Sequence, residues 1–370
     1  MKKILCIILA LTLGMGCMFF AHAQEEAVTE KSLRVVSFNV DGLPIPSFLS
    51  STKRPAGKAT RLIAEQLNRF DCDILCAQED FNYHGTLRRE LDMPYATVTS
   101  GPAVIGDGLN IFADYPVYNV GREAWSTAYG IFDCGSDELT PKGILYCTVE
   151  LAEGIYVDVY TLHADAWEDD DSMLAKAAQF DQLAALIEAH SGDRAVLLTG
   201  DFNVNYAVFR EGYKGGRYNV DLCQKLLDNF VAKGFHDAWI EANNDGNYDF
   251  TYGEMRSRYG CEYPRTWDTL DHIFYRDGKG VSFTLEDAWY DGFDCAEITW
   301  DGHLSDHAAV CAVFTCKLDA AQADSTLALQ KEWAKPITHF FHGVVSVCRT
   351  LYTVIVHIPD LFRNGIGWIK

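Results

Sequence analysis

Short apolar runs alternate with stretches of helical periodicity along most of the chain. Residues 33–40 are an apolar run that ends at the turn residues Asp41 and Gly42, and this pattern predicts a strand. Between residues 58 and 70 apolar positions recur every three or four residues, which predicts a helix, and a buried-type strand follows at 73–78. Further strands are predicted at 109–113, 116–120, 144–151, 154–162, 195–199, 270–275 and 308–315, and further helices over 221–231 and from a cap at Ser172.

The way these strands are connected indicates the fold class. The strands at 144–151 and 154–162 are joined by a short Ala-Glu-Gly turn, which is typical of a hairpin. Hairpins are rare in a purely parallel Rossmann arrangement but common where two sheets pack together. We therefore predict an α+β fold in which a sandwich of two mixed sheets is flanked by helices.

Polar side chains stand at the ends of the predicted strands. Loops that follow apolar strands converge on one edge of a sheet and can build a site on a rigid scaffold. The pattern therefore predicts one catalytic cleft. In chain order its candidate residues are Asn39, Gln78 with Glu79, His163, Asp201 with Asn203, Asp271, and Asp306 with His307.

Two of these residues are candidate metal ligands. Asn39 and Glu79 offer hard oxygen atoms, and a site with few protein oxygens that leaves room for water and a substrate phosphate suits Mg²⁺. We expect Mg²⁺ or another hard divalent cation such as Mn²⁺. Such an ion polarises a phosphoryl oxygen and neutralises a leaving alkoxide.

His307 is the candidate general base, because a histidine that titrates near neutrality can take a proton from an attacking water. Asp306 either polarises this ring or orients His163, and the sequence leaves both pairings open. His163 is expected to stabilise phosphoryl oxygens. Asp201 is expected to orient the water or the leaving group, and Asn203 to donate to the phosphoryl group.

Composition and the first residues of the chain bear on the substrate and the compartment. The formal charge of −21 and the absence of a basic stripe disfavour a nucleic-acid substrate. Lys2 and Lys3, an apolar stretch and an Ala-His-Ala site before Gln24 predict a signal peptide at residues 1–23 and hence export. An oxidising compartment permits disulfides, although Cys72, Cys76 and Cys311 lie in apolar strands and are expected to be buried thiols.

The order of these strand-end motifs between residues 35 and 315 resembles that of the endonuclease/exonuclease/phosphatase superfamily. This superfamily has the DNase-I-like fold, a four-layer αββα sandwich. The segments 39–44, 108–112 and 141–145 further resemble its neutral sphingomyelinase branch. This resemblance implies hydrolysis of sphingomyelin to ceramide and phosphocholine, with Glu79 on the metal and His307 as the base. It also suggests Lys142 as a substrate-binding residue.

The expected domain organisation is a catalytic domain at residues 24–317 followed by an apolar or amphipathic helical extension at 318–370. An apolar stretch over 337–362 is expected to form a helix that begins at Pro336 and ends at Pro359. Ser346, Arg349 and Thr353 belong to its narrow polar stripe. The helix either lies in a membrane interface or packs on the catalytic domain.

Two alternative functions remain open at the level of the sequence. One is a phosphomonoesterase or nuclease on the same fold, acting on an inositol phosphate or DNA, because fold and chemistry are shared across this superfamily. The other is a non-catalytic binding protein. The sequence does not indicate an oligomeric state.

Overall fold

Within the described residues, twelve strands form two mixed sheets that pack face to face. The computed structural model describes residues 28–47, 54–131, 134–206, 217–248, 269–298, 302–332 and 336–364, so the expected signal peptide lies outside the described residues. The first sheet has the order β11-β12-β1-β2-β4-β3 and the second the order β5-β6-β7-β8-β10-β9. The first comprises β1 (Val28–Asn39), β2 (Ile74–Gln78), β3 (Tyr95–Ala96), β4 (Asn110–Ala113), β11 (Val281–Asp291) and β12 (Ala309–Asp319). The second comprises β5 (Val117–Ala124), β6 (Gly143–Ala152), β7 (Ile155–His163), β8 (Ala195–Asp201), β9 (His236–Asp237) and β10 (Asp271–Arg276).

Helices cover the outer faces of both sheets. The structure contains α1 (Ala56–Phe70), α2 (His84–Glu90), α3 (Asp170–Ser191), α4 (Arg217–Val231), α5 (Ala238–Asn244), α6 (Pro336–Asn364) and 3₁₀ helices at Cys134–Leu139 and Ala320–Gln322. Leu62 and Leu67 of α1 pack on the outer face of the first sheet, and Phe180 of α3 and Leu226 of α4 pack on that of the second. The four-layer αββα sandwich predicted from the sequence is confirmed.

Strand direction explains why the polar residues meet at one edge. β1 runs parallel to β2, and β7 runs parallel to β8, so Asn39 pairs with Gln78 and His163 pairs with Asp201 at their carboxyl ends. β10 runs antiparallel to β8 and therefore starts where β8 ends, which places Asp271 opposite Asp201. The two sheets thus present their polar strand ends together.

The structure corrects several sequence predictions about elements. β11 was not predicted, because a bulge between Leu285 and Asp287 breaks its alternating pattern. α3 is capped by Asp169, which accepts a hydrogen bond from the Ser172 backbone N–H, and not by Ser172 itself. α6 continues through Pro359 to Asn364. The short elements β3, β9, α2 and α5 were also not predicted.

The chain after β12 is tied to the catalytic sandwich at defined points. The Asp324 backbone N–H donates to the carbonyl of Gly154 at 2.7 Å. Asn119 and Gln330 exchange two hydrogen bonds of 2.8 Å, one through the Asn119 side chain. Glu332 accepts from the Val98 N–H at 2.7 Å. We call residues 323–332 the strap, since they fix the point from which α6 departs.

α6 turns its polar residues toward the domain and much of its apolar surface toward solvent. Ser346 Oγ donates to the carbonyl of Val104 at 3.0 Å, so the polar stripe lies against the sandwich. On the other side Leu351, Tyr352 and Ile355 are 56%, 70% and 63% exposed. Within the described residues no helix is long and apolar enough to cross a membrane.

Candidate active site

A histidine and a carboxylate are in close contact in the site. His307 Nδ1 lies 2.7 Å from Asp271 Oδ2, so the ring donates its Nδ1 proton to the carboxylate and turns Nε2 toward Asp201 Oδ2, 3.7 Å away. Burial alone would lower the pKa of His307, but Asp271 and Asp201 more than offset it and raise this pKa well above its usual range. The ring partner of His307 is therefore Asp271, and Asp306 does not take this position.

Ser305 sets the position of the loop that carries His307. Its Oγ donates to the Asn39 carbonyl at 2.6 Å and accepts from the His307 backbone N–H at 3.1 Å. The loop before β12 is thereby fastened to the end of β1. Tyr290 from β11 donates its hydroxyl to the carbonyl of Asp271 at 2.7 Å and supports the partner residue from behind.

Asp201 is the carboxylate around which the other groups gather. Its Oδ2 accepts from Asn39 Nδ2 at 3.1 Å and lies 3.4 Å from His163 Nε2. Burial alone would raise the pKa of Asp201, but His307, Lys142 and the hydrogen bond from Asn39 outweigh it and hold that pKa below its usual value. Asp201 is therefore ionised and couples both predicted histidines.

His163 is a buried and neutral imidazole. Burial and the nearby Lys142 lower the pKa of His163 to about 3, although Asp201 acts in the opposite direction. Its Nδ1 is buried and has no hydrogen-bond partner within the described part of the chain. Trp125 Nε1 donates to the His163 carbonyl at 2.7 Å and fixes this end of β7. A neutral ring in this position can offer a polar N–H but carries no charge.

Three carboxylates lie beside these residues, and we call Asp41, Glu79 and Asp306 the acidic cluster. Burial, Asp306 and Asp41 raise the pKa of Glu79 to about 7, and burial and Asp306 raise that of Asp41 to about 6. The buried guanidinium of Arg54 pairs with Asp41 and donates to the carbonyl of Leu304 at 2.9 Å. The cluster therefore holds more negative charge than its own neighbours neutralise.

The acidic cluster fits a hard divalent cation on two observations. All of its ligand atoms are oxygens, and Glu79 Oε1 accepts from Asn39 Nδ2 at 3.1 Å, which aligns the two predicted ligands side by side. Burial, and after it repulsion between the carboxylates, raises the pKa values of Glu79 and Asp41, and a positive charge bound there would offset both effects. Asn39 and Glu79 thus lie together, with Asp306 exposed at their side.

A second group of residues could also hold an ion. Asp201, Asp271 and His307 each offer one ligand atom, and these atoms lie within 4.8 Å of one another. They are already joined by the His307–Asp271 hydrogen bond, however, and Asp201 is contacted by Asn39 and His163. These contacts favour a role of Asp201, Asp271 and His307 in proton transfer over the binding of a metal ion.

Backbone geometry at Glu79 explains a glycine of the sequence. Glu79 has a φ of 54°, a left-handed conformation that costs free energy in a non-glycine residue. The Gly42 N–H donates to the Glu79 carbonyl at 3.0 Å, and a Cβ added at Gly42 would lie 2.5 Å from that oxygen. Only glycine allows the turn after β1 to approach Glu79 this closely.

Asn203 follows β8 in a second left-handed turn, with a φ of 50°. Its side-chain Nδ2 donates to the carbonyl of Ala164 at 3.2 Å, and its backbone N–H donates to Asp201 Oδ1 at 3.0 Å. The turn redirects Asn203, so Asp201 and Asn203 do not lie in one extended segment. Phe202 between them is buried in the core.

Lys142 reaches the site from the start of β6. Its Nζ forms a close ion pair with Asp137 of the 3₁₀ helix and donates to the Ala164 carbonyl at 3.3 Å. Burial would lower the pKa of Lys142, but Asp137, Asp201 and Glu79 raise it overall, so the ammonium group is charged. This cation, assigned from the sequence, therefore acts on both Glu79 and Asp201.

The structure brings to one edge the eight residues to which the sequence analysis gave a catalytic, metal-binding or substrate-binding role: Asn39, Glu79, Lys142, His163, Asp201, Asn203, Asp306 and His307. The sequence indicated no role for Asp41, Arg54 and Asp137. It also did not identify Asp271 as the partner of His307. Asp271 is one of the polar residues at strand ends, and this position could have indicated its role. The sequence contains no indication of a role for Arg54, because the residues that it contacts, Asp41 and Leu304, lie 13 and 250 residues away along the chain.

Comparison with known proteins gives matches to the same fold and site region. Residues 36–307 match the sequence model of the Endonuclease/Exonuclease/phosphatase family. A sphingomyelinase of Mycobacterium bovis is 31% identical over 258 residues, which cover 67% of this chain and 46% of that protein. The chain thus spans about half the length of this curated relative.

Two solved structures share the architecture. The structure of D. rerio TDP2 complexed with a single-strand DNA product has a TM-score of 0.53 at 15% identity, covering 77% of this chain and 99% of that one. A double mutant of the beta toxin from Staphylococcus aureus, with bound magnesium ions, has a TM-score of 0.50 at 20% identity, covering 76% and 99%. At these identities the two matches show the fold alone.

The two-sheet sandwich with polar residues gathered at one edge defines a DNase-I-like protein. The family match extends over most of that sandwich and ends at His307. The chain belongs to the endonuclease/exonuclease/phosphatase family, which confirms the resemblance drawn from its motifs.

Proposed function

We propose that this protein is a metal-dependent phosphodiesterase that hydrolyses a phosphocholine-bearing lipid of the sphingomyelin type. The observation that carries the proposal is the geometry of His307, held by Asp271 on one nitrogen and facing Asp201 with the other, beside an acidic cluster suited to a hard cation. A base next to a cation site is what hydrolysis of a phosphodiester requires.

His307 is the general base in this proposal. Asp271 holds the ring in the tautomer that exposes the Nε2 lone pair, which takes the proton of the attacking water. Asp201 lies next to Nε2 and stabilises the imidazolium that results. In this proposal Asp271 orients the ring of His307, the role for which the sequence analysis considered Asp306.

Asn39, Glu79 and Asp306 would hold the cation, which we propose to be Mg²⁺ or Mn²⁺. When bound, such an ion supplies charge neutralisation at the phosphoryl and leaving oxygens. Asn39 also links Glu79 to Asp201 through its amide group, so the ligands and the proton-transfer residues share one hydrogen-bonded unit. The exposed carboxylate of Asp306 completes the oxygen donor set.

The remaining site residues stabilise the phosphoryl group in this proposal. His163 is neutral and offers its Nε2–H, while Asn203 offers its amide after release from Ala164. Lys142 adds a fixed positive charge held by Asp137. These groups favour the transition state, in which negative charge on the phosphoryl oxygens is greatest.

The lipid substrate is supported by the sphingomyelinase relative and by charge. The chain carries 52 acidic against 31 basic residues, so its field opposes a polyanion far more than a zwitterionic head group. The TDP2 structure contains a DNA product, and a nuclease on this fold is therefore the second candidate. A phosphomonoesterase acting on inositol phosphates is the third.

A substrate panel separates these candidates. Purified protein with Mg²⁺ should release phosphocholine from sphingomyelin, and release should stop with chelator. Plasmid nicking and phosphate release from inositol phosphates, assayed in parallel, should remain at background. Activity confined to DNA or to inositol phosphates would contradict the lipid assignment while leaving the hydrolytic site intact.

We further propose that the protein is exported and meets its lipid at a membrane surface. The proposed signal peptide at 1–23 supports export. The exposed apolar side of α6, within residues 337–362, supports an interfacial contact, because Leu351, Tyr352 and Ile355 would leave water there. The polar stripe occupied by Ser346 cannot supply this contact, since it faces the sandwich.

A further inference from the structure

An exposed tryptophan stands in the loop that follows His163. Trp167 is 60% exposed, whereas Ala164 and Asp165, which precede it in the loop, are buried. Isolated apolar groups on a surface are common and need no explanation by themselves. Trp167 differs from such residues in its backbone conformation and in the buried lysine that contacts its carbonyl.

Trp167 is held in an unfavourable backbone conformation. Its φ is 64°, the left-handed region that a bulky residue rarely adopts. Its carbonyl accepts a hydrogen bond from Lys176 Nζ at 2.5 Å, and the same ammonium group donates to the Asn203 carbonyl at 2.9 Å. Lys176 is fully buried, which is costly for an amine. The left-handed backbone of Trp167 and the burial of Lys176 are both unfavourable, and both help to hold the exposed indole in place.

The position of the indole relates it to the catalytic residues. A Cβ added at Gly135 would lie 3.1 Å from Trp167 Cδ1, so the ring packs over this glycine of the 3₁₀ helix. Asp137, two residues further along, accepts from the Ala166 N–H at 2.8 Å and pairs with Lys142. The exposed ring is therefore separated from the Lys142 ammonium group by one short helix.

The same 3₁₀ helix also contacts α6. Thr350 Oγ1 lies 3.5 Å from the carbonyl of Leu139, so the exposed indole and α6 flank one short element. Glu168, Asp170 and Asp171 follow Trp167 and are exposed. This negative run opposes contact with a nucleic acid or an anionic lipid surface, but it is compatible with a zwitterionic one.

We propose that Trp167 is a lipid-contact residue that enters the head-group region of a phosphocholine-containing membrane beside the catalytic cleft, with Lys176 as the residue that presents it. This inference rests on the proposed lipid substrate. An indole is apolar over most of its surface and carries one N–H, and such side chains favour the boundary between water and hydrocarbon. Strain stored at this loop is explained if it fixes the contact residue before binding.

Binding without turnover tests the proposal. Trp167→Ala and wild type are sedimented with sphingomyelin/phosphatidylcholine vesicles in the presence of chelator. We expect roughly tenfold weaker partitioning of the variant, from the lost burial of apolar indole surface. Tyr95→Ala is the matched control, since Tyr95 is 40% exposed and pairs with Ala113 at the sheet end away from Glu79. Equal partitioning of Trp167→Ala and wild type would overturn the proposal.

Hydrolysis separates this contact from the catalytic proposal. Trp167→Ala should lose rate on vesicles but keep its rate on sphingomyelin dispersed in detergent, and an equal loss on both would contradict an interfacial role. A wild-type protein that releases no phosphocholine from either form would refute the proposed function. The vesicle sedimentation would still decide the role of Trp167, because it needs no turnover.

Discussion

At the scale of single residues, the site depends on how neighbouring charges set the pKa of His307. Asp271 and Asp201 raise this pKa, so the ring as it stands holds a proton and must lose it before acting as a base. Positive charge at the acidic cluster would favour that loss, and it would also relieve the repulsion among Glu79, Asp41 and Asp306. The base and the ion site are thus electrostatically coupled.

Asp271→Asn tests the orienting role of this carboxylate. Because Asp271 raises the pKa of His307, its neutralisation should lower that pKa and move the acidic limb of the kcat/KM profile to lower pH. The maximal rate should fall at least about tenfold, since the ring is less well oriented. Asp294→Asn is the matched control, as Asp294 contacts His303 Nδ1 at 2.9 Å outside the catalytic set. An unshifted acidic limb in Asp271→Asn would contradict the assignment.

Gly42→Ala tests whether the close turn beneath Glu79 is required. The added Cβ would meet the Glu79 carbonyl at 2.5 Å, so either the turn or Glu79 must move. We expect a loss of about 1–3 kcal/mol in the free energy of unfolding and weaker Mg²⁺ binding. Chemical denaturation and calorimetric titration measure the two effects. Gly85→Ala is the control, because its Cβ would meet nothing within 4 Å in α2, and a Gly42→Ala variant as stable as wild type would refute the steric account.

At the scale of elements, α6 has the reverse of the usual orientation of an amphipathic helix. Its hydroxyl side chains lie on the sandwich, as Ser346 and Thr350 show, while much of its apolar surface faces solvent. The strap makes backbone hydrogen bonds to Gly154 and Asn119, so the helix departs from a fixed point. The helix therefore contacts the domain through its hydroxyl side, and membrane contact of its apolar side stays a prediction.

Charge placed on the outer side of α6 tests the membrane contact. The triple substitution Leu351→Asp, Tyr352→Asp and Ile355→Asp should reduce binding to phosphocholine vesicles by at least about tenfold, because three exposed apolar groups are replaced by carboxylates. Vesicle flotation measures the change. Val28→Asp controls for added charge at an exposed apolar position in β1, and unchanged flotation of the triple variant would argue against an interfacial helix.

Most of the sheet elements could be predicted because their burial follows the sequence pattern. β7 and β8 are buried throughout and read as apolar runs. β11 could not be predicted in this way, since its pattern changes phase at the bulge after Leu285. The continuation of α6 past Pro359 also depends on local structure, as one missing backbone N–H does not by itself end a helix of 29 residues.

At the scale of the whole molecule, strand order determines which parts of the site were predictable. Asn39, His163 and Asp201 follow strands that meet at one edge, so their convergence could be expected. The pairing of Asp271 with His307 depends on the antiparallel start of β10 beside β8, which no local pattern encodes. The contribution of Arg54 depends on contacts across the chain and was likewise not accessible.

The acidic cluster predicts a pH-dependent response of stability to Mg²⁺. In the folded state the pKa of Glu79 is raised to about 7 and those of Asp41 and Asp271 to about 6, above their usual values of 4.5 and 3.8. The stability they contribute is complete below about pH 4 and is lost as pH rises through 6 and 7. The chelated protein should therefore show a lower Tm at pH 7.5 than at pH 5.

Mg²⁺ should offset this loss, so the rise in Tm on adding Mg²⁺ should be larger at pH 7.5 than at pH 5. Thermal unfolding at both pH values, with Mg²⁺ and with chelator, measures the effect, which should be on the order of 1–3 kcal/mol at pH 7.5. Glu79→Gln should abolish most of the response. An equal rise at the two pH values would show that the cation does not bind at these carboxylates.

The central claim is that His307, in concert with a divalent cation, hydrolyses a phosphocholine lipid. Its most direct test follows phosphocholine release from sphingomyelin in detergent by ³¹P NMR, comparing wild type with His307→Gln, each with Mg²⁺ and with chelator. We expect release by wild type with Mg²⁺ alone, and a rate reduced by about a hundredfold or more in His307→Gln. Release by His307→Gln at the wild-type rate, or wild-type release that persists with chelator, would contradict this account.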